Sequence, residues 1–201
     1  MNFKKQQNML ENLQKYRIRL ASNSPRRREL LSGLGIDYEV KLLPDIDETY
    51  PDTLKGEEIP LFIAREKAAA YLPSMESDEL IITADTIVYV DDEVLGKPKD
   101  EADARRMLHL LSGRSHQVIT GVCISTRHFQ RAFAATTEVT FDTLSEEEID
   151  FYVRTYRPMD KAGSYGIQEW IGYIGVCGMK GSYFNVMGLP VQRLYQELKK
   201  C

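Results

Sequence analysis

The stretch Ile18-Arg19-Leu20-Ala21-Ser22-Asn23-Ser24-Pro25-Arg26-Arg27-Arg28-Glu29-Leu30-Leu31, closed by Gly33 and Gly35, decides the fold. Ile18 to Ala21 form a short apolar run that reads as a strand. Ser24 suits a helix N-cap, and Pro25 suits the first helical position, where its missing N–H costs nothing; the glycines suit the helix end. The segment therefore predicts strand, tight loop and helix. The same loop is a candidate anion site. Orphan N–H groups and the positive end of the helix dipole attract phosphate, Ser22 and Ser24 add hydroxyls, and Arg26 and Arg27 add planar forks. Alone, the segment is equally a capped helix with a solvated basic face.

Working outward, residues 60–72 predict a helix with Pro60 at its start and Pro73 past its end. Leu80–Ala84 reads as a strand, and Ile87–Val90 as a second apolar run leading into a turn at Asp91-Asp92, then Val94-Leu95. Residues 101–112 are helical by apolar spacing (Ala104, Met107, Leu108, Leu111). Gln117–Ser125 and Ala132–Phe141 predict a long antiparallel pair. Ser145-Glu146-Glu147-Glu148 is a capping box opening a helix through Arg154. Beyond the Asp160–Gln168 loop, short strands are expected around Ile171–Cys177 and Tyr183–Met187, then a closing helix from Pro190 over Val191–Lys199. The pattern predicts a mixed α/β domain over residues 17–201, with a central twisted mixed sheet, flanking helices and a cleft between two halves. Residues 1–16 read as an N-terminal extension, in which Met9, Leu10 and Leu13 give a short amphipathic turn.

Composition excludes several classes. Across 201 residues, 43% are hydrophobic, enough for a substantial core, and the net charge of -4 does not suit a surface that wraps nucleic acid. The N-terminus lacks the apolar run of a signal peptide, and no segment approaches the roughly 20 apolar residues of a membrane span. A cytoplasmic protein without membrane or nucleic-acid partners is expected. Cys123, Cys177 and Cys201 form no CxxC pair or Cys/His cluster, so neither zinc nor a disulfide framework is indicated. They read as two buried or half-buried thiols and a frayed terminal one. His109, His116 and His128 lack metal-ligand spacing and a nucleophile elbow, which disfavours a Ser-His-Asp hydrolase; His109 and His128 read as surface residues. Trp170 and the tyrosines read as packing.

Candidate chemistry lies elsewhere. Asp85-Thr86 falls at the end of an apolar strand, where ligands of α/β sheets collect and where a carboxylate needs a partner. Gly96-Lys97-Pro98 sets a lysine on a constrained loop. Lys67 sits among alanines on a mostly apolar helix. Asp45, Asp47 and Glu48 form an acidic loop that suits a hard cation such as Mg²⁺, or else a solvated turn. In Asp160–Gln168 small residues permit close backbone approach to a ligand, and the Gln168 amide can donate to and accept from a base edge.

Taken together, LASNSPRRRELLSGLG, DIDET, AREKA, ITADTIV, VLGKP, LSGRSHQVITGV, DKAGSYGIQ and GSYFNVMGLP resemble the Maf family of nucleotide pyrophosphatases over residues 20–190. The resemblance implies a mixed α/β fold with a deep cleft, shared with inosine-triphosphate pyrophosphatases. It implies phosphate binding by Ser22, Arg27, Lys67 and Lys97, and metal and water activation by Glu48 and Asp85, with Asp85 the general base. Arg26, Thr86 and Gln168 match the positions that separate substrate classes, and resemble the branch acting on dTTP and UTP; the branch preferring 7-methyl-GTP carries Trp where Arg26 stands. A Mg²⁺ or Mn²⁺ cofactor and a homodimer are implied as well. The alternatives are a pyrophosphatase for modified nucleotides and a nucleotide-binding regulator of septum formation or cell division.

Overall fold

The start of the chain folds as its capping residues dictate. Strand β1 (Arg17–Leu20) leads into helix α1 (Pro25–Gly33); Ser24 is extended, its Oγ accepts from the Arg27 amide, and Pro25 takes the first helical position. The computed structural model describes residues 9–44 and 46–201; Asp45 and residues 1–8 of the expected extension lie outside the described residues.

β1 pairs in parallel with β2 (Glu39–Val40) and with β3 (Glu79–Val90), in the register Leu20↔Val40 and Leu20↔Ile82. β3 returns antiparallel into β4 (Glu93–Leu95) through Asp91 and Asp92 at φ 48° and 62°, the left-handed pair that a two-residue hairpin turn needs. β5 (Ser115–Ser125) and β6 (Gln130–Phe141) are neighbours joined by Thr126–Phe129, a connection too short for a parallel crossover. β7 (Val176–Lys180) pairs antiparallel with β6. The strand order is β2-β1-β3-β5-β6-β7, with β4 on β3, so the sheet is mixed as expected. Among the described residues no helix is long and apolar enough to cross a membrane.

The chain divides into two compact units. The first comprises the described part of Met1–Asp85 with Thr120–Ala135 and Gly188–Cys201. Here helix α2 (Glu58–Tyr71) lies close against β5, with Ala64 and Ala68 on Cys123. A Cβ at Gly121 would strike the Pro60 carbonyl group and Leu61 N, so only glycine permits this approach. The Thr83 hydroxyl donates to the Ala64 carbonyl at 2.6 Å. Pro190 opens the C-terminal helix (Val191–Leu198), and Asn12 donates to the Leu198 and Cys201 carbonyls at 2.8 and 3.1 Å while Leu10 and Leu13 enter the core.

The second unit comprises Thr86–Ile119 and Thr136–Met187. Helix α3 (Glu101–Leu111) is capped by Asp100, and helix α4 (Glu146–Tyr156) by the reciprocal Ser145/Glu148 box. The two pack together through apolar stripes that include Leu108, Leu111, Ile149 and Val153, with Arg105 bonded to Asp150 at 2.6 Å.

Several expectations are corrected. Helix α2 begins at Glu58 rather than Pro60, since Pro is tolerated anywhere in a first turn. β3 is continuous: Asp85 and Thr86 lie inside one strand, because the ladder is backbone and the Asp85 carboxylate has a partner. Trp170–Gly175 is a helix, α5, not a strand; Gly172 N donates to the Glu169 carbonyl, and its Cα sits so close to the Ile167 carbonyl that no Cβ fits. Tyr183–Met187 is also helical, α6, and turns buried Asn185 toward the Val118 carbonyl and Thr137 Oγ1, both at 3.0 Å. Cys177 is exposed on the sheet's last strand, whereas Cys201 is half-buried with Sγ toward the Glu197 carbonyl.

Candidate active site

In the first unit the predicted residues converge. Lys67, three residues past Ala64 on α2, has its ammonium 2.8 Å from Asp85 Oδ1 and 2.9 Å from Glu48 Oε1. The Lys67 and Asp85 side chains are largely shielded, and Glu48 is half-exposed on its loop. The Thr83–Ala64 bond is a second tie between the same strand and helix, two residues before Asp85.

Arg27 is anchored by its backbone contacts: Nε donates to the Gly188 carbonyl and an NH1 hydrogen to the Ala84 carbonyl, each at 2.8 Å. Its guanidinium thus stands beside the residue preceding Asp85. Burial lowers the Arg27 pKa from its ordinary value and the Arg26 charge adds to this, while Asp85 and Glu48 oppose it. Guanidinium stays protonated under all these influences. Ser22 is buried just past β1, its Oγ accepting from the Ser24 amide at 3.2 Å. Cationic and anionic groups therefore meet where a strand passes into a helix N-terminus, an arrangement able to take phosphate oxygens and a hard cation together.

The remaining three predicted residues belong to the second unit. Thr86 is half-buried on β3, and Lys97 is exposed. The Lys97 loop is tied to the Asp160–Gln168 loop by Gly163 N, which donates to the Gly96 carbonyl at 3.0 Å. Gly163, at φ 67°, packs directly on Val88, two residues beyond Thr86. Gln168 is half-buried, but its Oε1 is shut off from solvent and has no hydrogen-bond partner in the protein.

Two neighbours of Gln168, Tyr152 and Glu169, lie outside the motifs. Tyr152 of α4 accepts from the Gly166 amide at 3.0 Å and donates to Glu169 Oε2. Glu169 Oε1 is 3.1 Å from Lys161 Nζ, which also meets Asp160 at 2.8 Å. Burial is the first cause that raises the Tyr152 pKa, with Glu169 beside it. The available signals were faint: a tyrosine on the apolar stripe of α4, and a glutamate directly following the Gln168 motif.

A family model described as Maf-like protein matches residues 17–201. A protein of Phocaeicola vulgatus named dTTP/UTP pyrophosphatase is 74% identical over 192 residues, covering 96% of this chain and 100% of that protein. One of Bacteroides fragilis with the same name is 66% identical over 192 residues, covering 96% and 100%. Among solved structures, a HAM1 protein from Coxiella burnetii is similar at 18% identity and a TM-score of 0.48, covering 92% of this chain and 100% of that one.

Proposed function

Since the chain belongs to the Maf family, we propose that it hydrolyses dTTP and UTP to the nucleoside monophosphate and pyrophosphate. The observation that carries this reading is the shielded Lys67 ammonium set between Asp85 and Glu48, beside an anchored Arg27.

Cleavage between the α- and β-phosphates needs a water polarised for in-line attack and charge neutralised on the departing pyrophosphate. Asp85 is the carboxylate that takes the water proton. Arg27 and Lys67 receive phosphate oxygens, Ser22 adds a hydroxyl, and Lys97 adds a point charge. Arg26, Thr86 and Gln168 select the nucleoside.

The site also suits a divalent cation, Mg²⁺ or Mn²⁺. Two carboxylates already reach one ammonium, so Glu48 and Asp85 could share a cation. Among the described residues no group of three or more His, Cys, Asp or Glu is placed to hold a metal, but Mg²⁺ needs only one or two carboxylates when substrate phosphates and water complete its shell. When bound it would neutralise phosphate charge. The reading carries with it the cytoplasmic location expected from the sequence and the homodimer that the family resemblance implies.

The test is to incubate the purified protein with Mg²⁺ and a panel of dTTP, UTP, 5-methyl-UTP, 7-methyl-GTP and ITP, resolving products by chromatography. Monophosphate and pyrophosphate from dTTP and UTP, lost on chelation, are expected. Nucleotide binding without turnover of any triphosphate would overturn the enzyme reading in favour of a nucleotide-sensing regulator.

A further inference from the structure

We propose that Tyr152 is a positioning residue for base selection, because its phenol grips both ends of the turn that presents Gln168. The inference rests on the pyrophosphatase reading for its substrates, and on the geometry of the second unit for its mechanism.

The Glu169 amide donates to the Gly166 carbonyl at 2.9 Å, closing a four-residue turn with Ile167 and Gln168 at its centre. One hydroxyl holds both ends of that turn: it accepts from the Gly166 amide at 3.0 Å and donates to the Glu169 carboxylate. The other Glu169 oxygen meets Lys161, whose side chain is only 8% exposed and which also pairs with Asp160, so moving the carboxylate away takes one of two partners from a shielded cation. The packing at the turn is close. A Cβ at Gly166 would lie 3.0 Å from Glu169 Cδ and 3.1 Å from Lys161 Cε. Tyr152 itself is fully buried on a helix fixed by its capping box and by the Arg105–Asp150 bond.

What this clamp holds still is an acceptor. Gln168 Oε1 is shielded from water and accepts nothing from the protein, a state that costs free energy and that a small change in the turn, opening the carboxamide to a base, would relieve. Thymine and uracil present a ring N–H beside a carbonyl oxygen, which a carboxamide matches with its oxygen and its NH₂. Cytosine has no ring N–H at that edge. A turn loosened by a few tenths of an ångström would blunt this discrimination while leaving the phosphate residues in place.

The test is Tyr152→Phe, which keeps the ring in the core and removes only the hydroxyl, with thermal unfolding as a control. Steady-state kinetics with dTTP, UTP, CTP and dCTP should show KM for dTTP and UTP raised about tenfold, kcat within about twofold, and the preference over cytosine nucleotides reduced about tenfold. Glu169→Gln should shift selectivity the same way, and it carries the test if Tyr152→Phe does not fold. An unchanged dTTP-to-CTP ratio, or an equal loss of kcat on every substrate, overturns the inference. If the wild-type protein releases no pyrophosphate from dTTP or UTP, the proposed function falls, and the side-chain amide NMR signals of Gln168, assigned by Gln168→Ala, decide the positioning role. A displaced or broadened pair in Tyr152→Phe supports it, and an unmoved pair overturns it.

Discussion

Lys67 Nζ donates to Asp85 Oδ1 at 2.8 Å, joining a helix to the middle of a continuous strand. Two residues earlier on that strand, Thr83 Oγ1 donates to the Ala64 carbonyl at 2.6 Å. The side chains of Thr83 and Asp85 share a strand face, and Ala64 and Lys67 are a helical turn apart. Position and charge are thus set by two rungs of one ladder.

Asp85→Asn keeps the size of the side chain and removes its basicity. Turnover of dTTP should fall by a factor on the order of 10² to 10⁴, with circular dichroism unchanged. Kinetics on the purified variant check it, and near-normal turnover would remove Asp85 from the role of base.

Lys67→Met leaves Asp85 and Glu48 without the cation that pairs with both. kcat/KM for dTTP should drop at least about a hundredfold, as for loss of one preorganised charge at a reacting phosphate. Lys67→Arg should recover only part of it, since a planar fork does not replace a point charge.

The upper rung and the close approach of α2 are testable through stability. Thr83→Val removes a buried hydroxyl's bond at nearly constant volume and should cost about 1 kcal/mol. Gly121→Ala forces a methyl into the Pro60 backbone and should cost about 1–3 kcal/mol. Urea midpoints give both values. Both variants should also lose activity, because the helix they shift carries Lys67.

Where the sequence was legible, the signal was local. The Ser24-Pro25 helix start and the Ser145/Glu148 box are fixed by residues within one turn of each other, so they can be read without tertiary structure. Leu80–Ala84 and Ile87–Val90 read as two runs because polar Asp85-Thr86 separate them, although ladder bonds are indifferent to side-chain polarity. The run around Ile171–Cys177 reads as a strand, whereas Trp170–Gly175 is helical, with Gly172 seated against Ile167. The nine predicted site residues stood out because motif residues are distinctive in kind. Tyr152 did not, since nothing near it in sequence shows that its hydroxyl meets Glu169, 17 positions away.

A pH prediction follows from His116. Its Nε2 lies 2.8 Å from the Tyr165 hydroxyl, Nδ1 is buried without a partner, and burial lowers its pKa from 6.5 to about 4. A depressed pKa means that the folded state resists protonation. The stabilisation is therefore complete above about pH 6.5 and is lost as pH falls toward 4. Between pH 7.5 and 5 the wild-type protein should lose about 2 kcal/mol more than His116→Phe, read from urea unfolding at the two pH values.

The amide of Gly163, bonded to the Gly96 carbonyl, has a use as a reporter. Its exchange with deuterium requires the two loops to part, so one proton keeps time for the opening of both. Slower exchange when nucleotide is present would reveal engagement of the Lys97 and Gln168 loops in a protein carrying neither label nor substitution.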